Sequence, residues 1–95
     1  RVGWPRVHAA CDYRAPLHFE EQFTMELLVE EVRPRTLRYL IRFWKQDGSL
    51  SAEGRLIVAC VRKDAETGKM KAVKIPARIM HLIQAAPAEL LAPVK

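Results

Sequence analysis

Glycine is scarce in this sequence, and so are cysteine and the aromatic residues. Four glycines are spread over 95 residues. None falls in a glycine-rich phosphate loop, so the usual nucleotide-cradling motifs are excluded. The two cysteines, Cys11 and Cys60, lie far apart in apolar stretches. That is not a metal-ligand spacing; it reads as two buried free thiols in a reducing compartment, with a disulfide or metal site as the alternative. No apolar run approaches the roughly 18 residues of a membrane span, and the start carries no signal-peptide pattern. Internal repeats and low-complexity segments are missing as well. What is present is 49% hydrophobic and 28% charged, which excludes disorder and fits one soluble globular domain near the lower end of the usual size range.

The net charge of +5 favours an anionic partner: nucleic acid, a membrane surface or a phosphorylated small molecule. Where the charges sit decides among these, and that depends on the run from Gln22 to Arg62. Apolar side chains recur on alternate positions in Phe23, Met25, Leu27 and Val29, and again in Leu37, Tyr39, Ile41 and Phe43. Period-two alternation marks strands with one buried face. The spacing predicts three long antiparallel strands, the first pair closed by Arg33-Pro34-Arg35. Its register sets Glu30 against Arg38, Glu26 against Arg42, Leu27 against Ile41 and Met25 against Phe43. Unlike charges then meet on one face and apolar groups on the other, each pair worth roughly 0.2–1 kcal/mol. A one-residue slip destroys both patterns. The second hairpin turns at Asp47-Gly48, read as a two-residue turn. It sets Phe43 against Ala52, Ile41 against Gly54, Tyr39 against Leu56 and Arg42 against Glu53.

Around this meander the strands are expected at about 6–13, 22–32, 36–46, 50–62 and 69–75. Pro76 suits the first turn of a helix, and Ile79, Leu82 and Ile83 predict a short amphipathic helix over 76–84. Residues 1–85 form the domain, and 86–95, with Pro87 and Pro93, read as a tail that packs weakly. This inventory leaves a deficit. A wide apolar sheet face needs a second layer to bury it, yet the one helix is short and comes last. Either a partner supplies the cover or an upstream segment does; the chain begins at Arg1, not methionine.

The stretch Asp12-Tyr13-Arg14-Ala15-Pro16-Leu17-His18-Phe19, then Ala52-Glu53-Gly54, Thr67-Gly68-Lys69 and Ile75-Pro76, resembles the C-terminal two-thirds of a hotdog-fold acyl-CoA thioesterase of the 4-hydroxybenzoyl-CoA thioesterase type. The resemblance covers about Val7 to Leu82. It implies an α+β fold, with a curved antiparallel sheet around a central helix that lies upstream of the part corresponding to Arg6. It implies hydrolysis of acyl-CoA thioesters by an acidic residue near that helix, so the catalytic carboxylate has no assignment in this chain. No cofactor and no metal are implied. Dimers in the family join their sheets through the strand corresponding to Arg6–Tyr13, which predicts a homodimer or homotetramer. A cytoplasmic location fits these readings.

Strand directions bring Arg33–Thr36, Arg62-Lys63 and the start of the last strand to one end of the sheet, opposite Asp47-Gly48. Arg33, Arg35, Arg62, Lys63, Lys69 and Lys71 can gather there, diluted by Asp64 and Glu66, into a cluster suited to the phosphates of coenzyme A. The resemblance points the same way: Arg33, Arg35 and Thr36 match the hairpin tip where related enzymes hold the nucleotide, and Lys69 and Lys71 match a basic pair in their closing strand. Pro34 departs from more basic tips. Solvated charges at loop ends are the bland reading of the same residues.

His8, His18 and His81 have the chemistry of general bases, but none has a cysteine, serine or carboxylate at a triad spacing. Trp4 and Tyr13 are candidates to line an acyl pocket or simply to pack. Asp12 is the carboxylate beside the dimer strand. Nucleic acid is disfavoured as a partner: Phe23, Tyr39 and Phe43 lie on the apolar face rather than among free arginines, as base stacking requires. The expected function is therefore an acyl-CoA thioesterase, with a non-catalytic hotdog module that binds acyl-CoA or drives assembly as the alternative.

Overall fold

The computed structural model describes residues 2–94. Four strands form an antiparallel sheet: β1 (Arg6–Tyr13), β2 (Phe23–Val32), β3 (Thr36–Lys45) and β4 (Leu50–Ala59), in the order β1-β4-β3-β2. A two-stranded ribbon of β5 (Val61–Lys63) and β6 (Met70–Ala72) continues from its end, followed by two four-residue helices, α1 (Ala77–Met80) and α2 (Ala88–Leu91). The molecule measures 52 × 29 × 17 Å with a radius of gyration of 16.3 Å, well above the ~13 Å of a compact 100-residue domain. One sheet without a full second layer has this flat shape.

The β3–β4 register matches the expected one, with Phe43 opposite Ala52, Ile41 opposite Gly54, Arg42 opposite Glu53 and Tyr39 opposite Leu56. In the β2–β3 pair, Met25, Glu26 and Leu27 face Phe43, Arg42 and Ile41 as expected. The Glu30–Arg38 register is corrected, although the two charges still lie 3.9 Å apart. A β-bulge between Val29 and Glu31 sets Glu31 opposite Arg38 and Val32 opposite Leu37. The sequence demands it, because unbroken alternation would put the Glu31 charge on the apolar face and Val32 on the polar one. One extra residue turns both to the proper side. The second turn is also longer than expected. Lys45 N–H donates to the Ser49 carbonyl at 2.8 Å and Gly48 N–H to the Lys45 carbonyl at 3.0 Å. This is a three-residue loop in which Gly48, at φ 87°, takes the left-handed position.

Three other expectations change. The strand placed over 50–62 breaks at Cys60, because β3 starts only at Thr36, which already pairs with Ala59. Beyond it the chain takes new partners: Cys60 N–H donates to the Arg35 carbonyl, Val61 N–H to Gly3, and Val73 N–H back to Cys60. The strand placed over 69–75 is only Met70–Ala72; Ile75 N–H instead donates to the Pro34 carbonyl at the hairpin tip. The helix placed over 76–84 is one turn long and has no side-chain cap, and so short a helix has little stability of its own. Its residues still pack. Ile79, Met80 and Ile83 join Trp4, Val32 and Tyr39 around the buried cluster Leu37, Val58, Cys60 and Ile75, while Leu82 stays in solvent.

The two faces of the sheet are closed very differently. α1 and Trp4 cover only the Leu37 end of the apolar face. Along the rest, Phe23, Met25, Leu27 and Tyr13 are exposed, and β1 is exposed throughout. Around Arg42 the polar face is crossed by the chain's own C-terminal segment, which main-chain hydrogen bonds tie down while most of its side chains stay exposed. Ala86 N–H donates to the Val29 carbonyl on the β2 edge. Arg42, 4% exposed, then donates from its two terminal nitrogens to the carbonyls of Leu90 (2.5 Å) and Ala92 (2.8 Å), and from Nε to Glu53 (2.9 Å). Arg14 completes the strap by donating to the Val94 carbonyl at 3.0 Å. Leu40, two residues from Arg42 on the same face, is fully buried.

Candidate functional site

Two cavities open on the apolar face. One, of about 250 Å³, is lined by Cys11, Tyr13, Leu17, Phe23, Phe43, Ser51 and Ala52. The other, of about 290 Å³, lies between Trp4, Leu37, Tyr39, Val58, Ile79 and Ile83. Trp4 and Tyr13 thus line separate hollows at the two ends of one apolar surface. Both sequences that build these hollows are alternating strands, so small Ala52 and aromatic Phe43 face the same side from neighbouring strands. Cys11 is exposed here, against the expectation of two buried thiols, while Cys60 is buried. An all-exposed edge strand buries nothing by itself, which is why the apolar pattern of β1 misled. A hydrogen bond with the Cys11 sulfur, followed by its charge, holds the Tyr13 hydroxyl above its ordinary pKa.

At the far end of the sheet lie the basic candidates, in two groups. Arg33 and Thr36 close the first hairpin, with Arg33 N–H donating to the Thr36 carbonyl at 3.0 Å. Both line a cavity of about 180 Å³ with Glu31, Arg38 and Ile57. Arg62, Lys63 and Lys71 line a second, of about 150 Å³, with Asp64 and Val73. Arg62 stands directly opposite Lys71 in the ribbon, a like-charge pair that repels unless an anion is near. Lys69 sits one residue before β6, its carbonyl accepting from Asp64 N–H, and Arg35 links the groups through its backbone bond to Cys60. Neither Arg35 nor Lys69 lines these two cavities.

The remaining candidates stay scattered. His8 is on β1, His18 in the loop before β2 and His81 at the end of α1, all exposed. Asp12 lies exposed on β1, across from Glu53. Among the described residues no three His, Cys, Asp or Glu side chains gather as a metal site would need, and no helix is long and apolar enough to cross a membrane. Sequence reasoning missed Arg38 and Glu31 as cavity residues; the adjacent glutamates that interrupt the alternation of β2 carried the signal.

The model of the Thioesterase superfamily matches residues 2–52, more than half of the chain. The chain belongs to the Thioesterase superfamily. None of the curated proteins matches it. Among solved structures, this thioesterase-superfamily chain is similar to a gentisyl-coenzyme A thioesterase at 24% identity and a TM-score of 0.70, over 83% of this chain and 59% of that one. It is similar to a 1,4-dihydroxy-2-naphthoyl-CoA thioesterase from Synechocystis at 18% identity and a TM-score of 0.73, over 97% and 62%. A hypothetical protein from Thermus thermophilus matches at 29% identity and a TM-score of 0.71, over 84% and 57%. The fold is the hotdog sheet, and this superfamily member spans 57–62% of the length of these structures.

Proposed function

We propose that this chain is the substrate-holding sheet of an acyl-CoA thioesterase, which hydrolyses a thioester to coenzyme A and a carboxylic acid. The observation that carries the reading is the layout of one sheet: an open apolar face with hollows at Trp4–Tyr39 and Tyr13–Phe43, and two basic groups at one end, one in the ribbon and one at the hairpin tip beside Arg38 and Ile57 of the opposite face. A substrate with an apolar acyl end and a polyphosphate handle needs these two surfaces on one body. Arg33, Arg35, Thr36, Arg62, Lys63, Lys69 and Lys71 hold the phosphates, arginine as a fork and lysine as a point charge. A helix laid on the apolar face completes the fold, contributes the carboxylate that activates water, and polarises the thioester carbonyl with its N-terminal N–H groups. Two subunits join through β1, whose outer edge has no strand beside it within the sheet.

The test is the full-length protein incubated with short, long and aromatic acyl-CoA thioesters, with free thiol followed over time. Release of coenzyme A from at least one class is expected. Tight acyl-CoA binding without release from any class replaces hydrolysis with the non-catalytic module.

A further inference from the structure

The bulge in β2 has brought two carboxylates to one face at the hairpin tip. Glu30 turns toward Arg38 and Arg55, with Oε1 at 3.9 and 3.4 Å from their Nε atoms. Glu31 does something different. Its Oε1 pairs with Arg33 Nε, and its Oε2 accepts from Arg38 Nη2 at 3.2 Å. One carboxylate therefore bridges two guanidinium groups at the rim of the 180 Å³ cavity, with Thr36 and Ile57 completing the wall. Two arginines and a threonine around a bridging carboxylate form the donor set of a phosphate site, already occupied by an anion that belongs to the chain. Glu31 is 37% exposed and Arg33 63%, so the pair is weakly held and open to exchange.

We propose that Glu31 is a built-in competitor for the phosphate of the ligand: it occupies Arg33 and Arg38 in the free protein and swings out when a phosphate monoester takes its place. This rests on the acyl-CoA reading for the identity of the ligand, and adds Arg38 as a binding residue and Glu31 as the group that weakens and times the binding. A ligand whose phosphate must displace a carboxylate binds less tightly and leaves more readily, which suits a released product.

The test is calorimetric titration of the full-length protein and its Glu31→Gln and Arg38→Gln variants with adenosine 3′,5′-bisphosphate, the nucleotide fragment of coenzyme A. Removing the competing charge is expected to tighten binding about two- to fivefold, the size of an exposed ion pair. Arg38→Gln is expected to weaken it. Amide spectra of both variants that match the parent outside the hairpin tip show the fold intact. Glu31→Gln binding no tighter than the parent, or no binding by either protein, overturns the competitor. If the bisphosphate behaves as expected and acyl-CoA is still not hydrolysed, the anion site stands and the thioesterase reading falls.

Discussion

The two faces of the sheet invert the usual rule of burial. On the polar face an arginine is 4% exposed, while on the apolar face Met25 is 62% and Leu27 60% exposed. Arginine is among the residues least often buried without a partner, and here it has three: a carboxylate and two main-chain carbonyls. The difference teaches which face is finished. On the polar one, residues 86–94 of the same chain cross over Arg42 and bury it. The apolar one is built to receive another layer, since exposed side chains this large and contiguous mark an interaction surface.

The sharpest way to break the comparison is at Arg42. Arg42→Ala removes the close partner of Glu53, leaving it only Arg55 at 3.8 Å, strips two tail carbonyls of their donor, and is expected to cost about 3–5 kcal/mol in urea unfolding. A loss under ~1 kcal/mol would show that the strap does not hold the face. Next in size is Leu27→Ala. Where the covering layer proposed above is present, it is expected to cost about 2–5 kcal/mol, because that layer would make Leu27 a core residue. If Leu27 remains in water instead, the loss stays within about 0.5 kcal/mol, and the apolar face is then a docking surface rather than half a core.

A smaller effect is expected at Gly54, on the apolar face where β1 meets β4. A Cβ there would come within 3.2 Å of the Ala10 carbonyl oxygen. Gly54→Ala is expected to cost about 1–3 kcal/mol by pushing the β1 backbone outward, and hydrogen exchange should quicken in β1 but not in β2. The smallest effect is acid loosening at the end opposite the basic tip. Hydrogen bonds from the Ser49 hydroxyl and N–H, then the Lys45 charge, hold the Asp47 carboxyl below its usual range. The His18 N–H, then Lys45, does the same for Glu21. Depressed carboxyl pKa values give stability that is present above the ordinary carboxylate pKa and lost as pH falls through the lowered ones. A pH titration of the Ser49 amide resonance should therefore show a midpoint below the usual aspartate value; a midpoint at or above it removes the turn's acid sensitivity.

The frame that places the candidate site was legible because it is local. Alternation in β2, β3 and β4 set the register, and the register set which end holds Arg33, Thr36, Arg62 and Lys71. The register at Glu30 went wrong because the alternation was followed only as far as Val29. Extending it three residues, to Glu31 and Val32, exposes the reset that the bulge resolves. The two-residue turn went wrong because glycine signals a left-handed position without counting the residues before it. Cys11 was misplaced because an apolar alternation says which side a residue is on, not whether anything lies there.

By itself the sequence determined the meander, its one apolar side and the basic end, since these follow from side chains two residues apart facing the same way. Only the tertiary structure decided that residues 86–94 cross the polar face, that Arg42 is buried beneath them and that Glu31 bridges Arg33 and Arg38. The strap depends on main-chain carbonyls some fifty residues from the arginine they bind, and a carbonyl is the same at every position, so no pattern of residue types announces which one will be used.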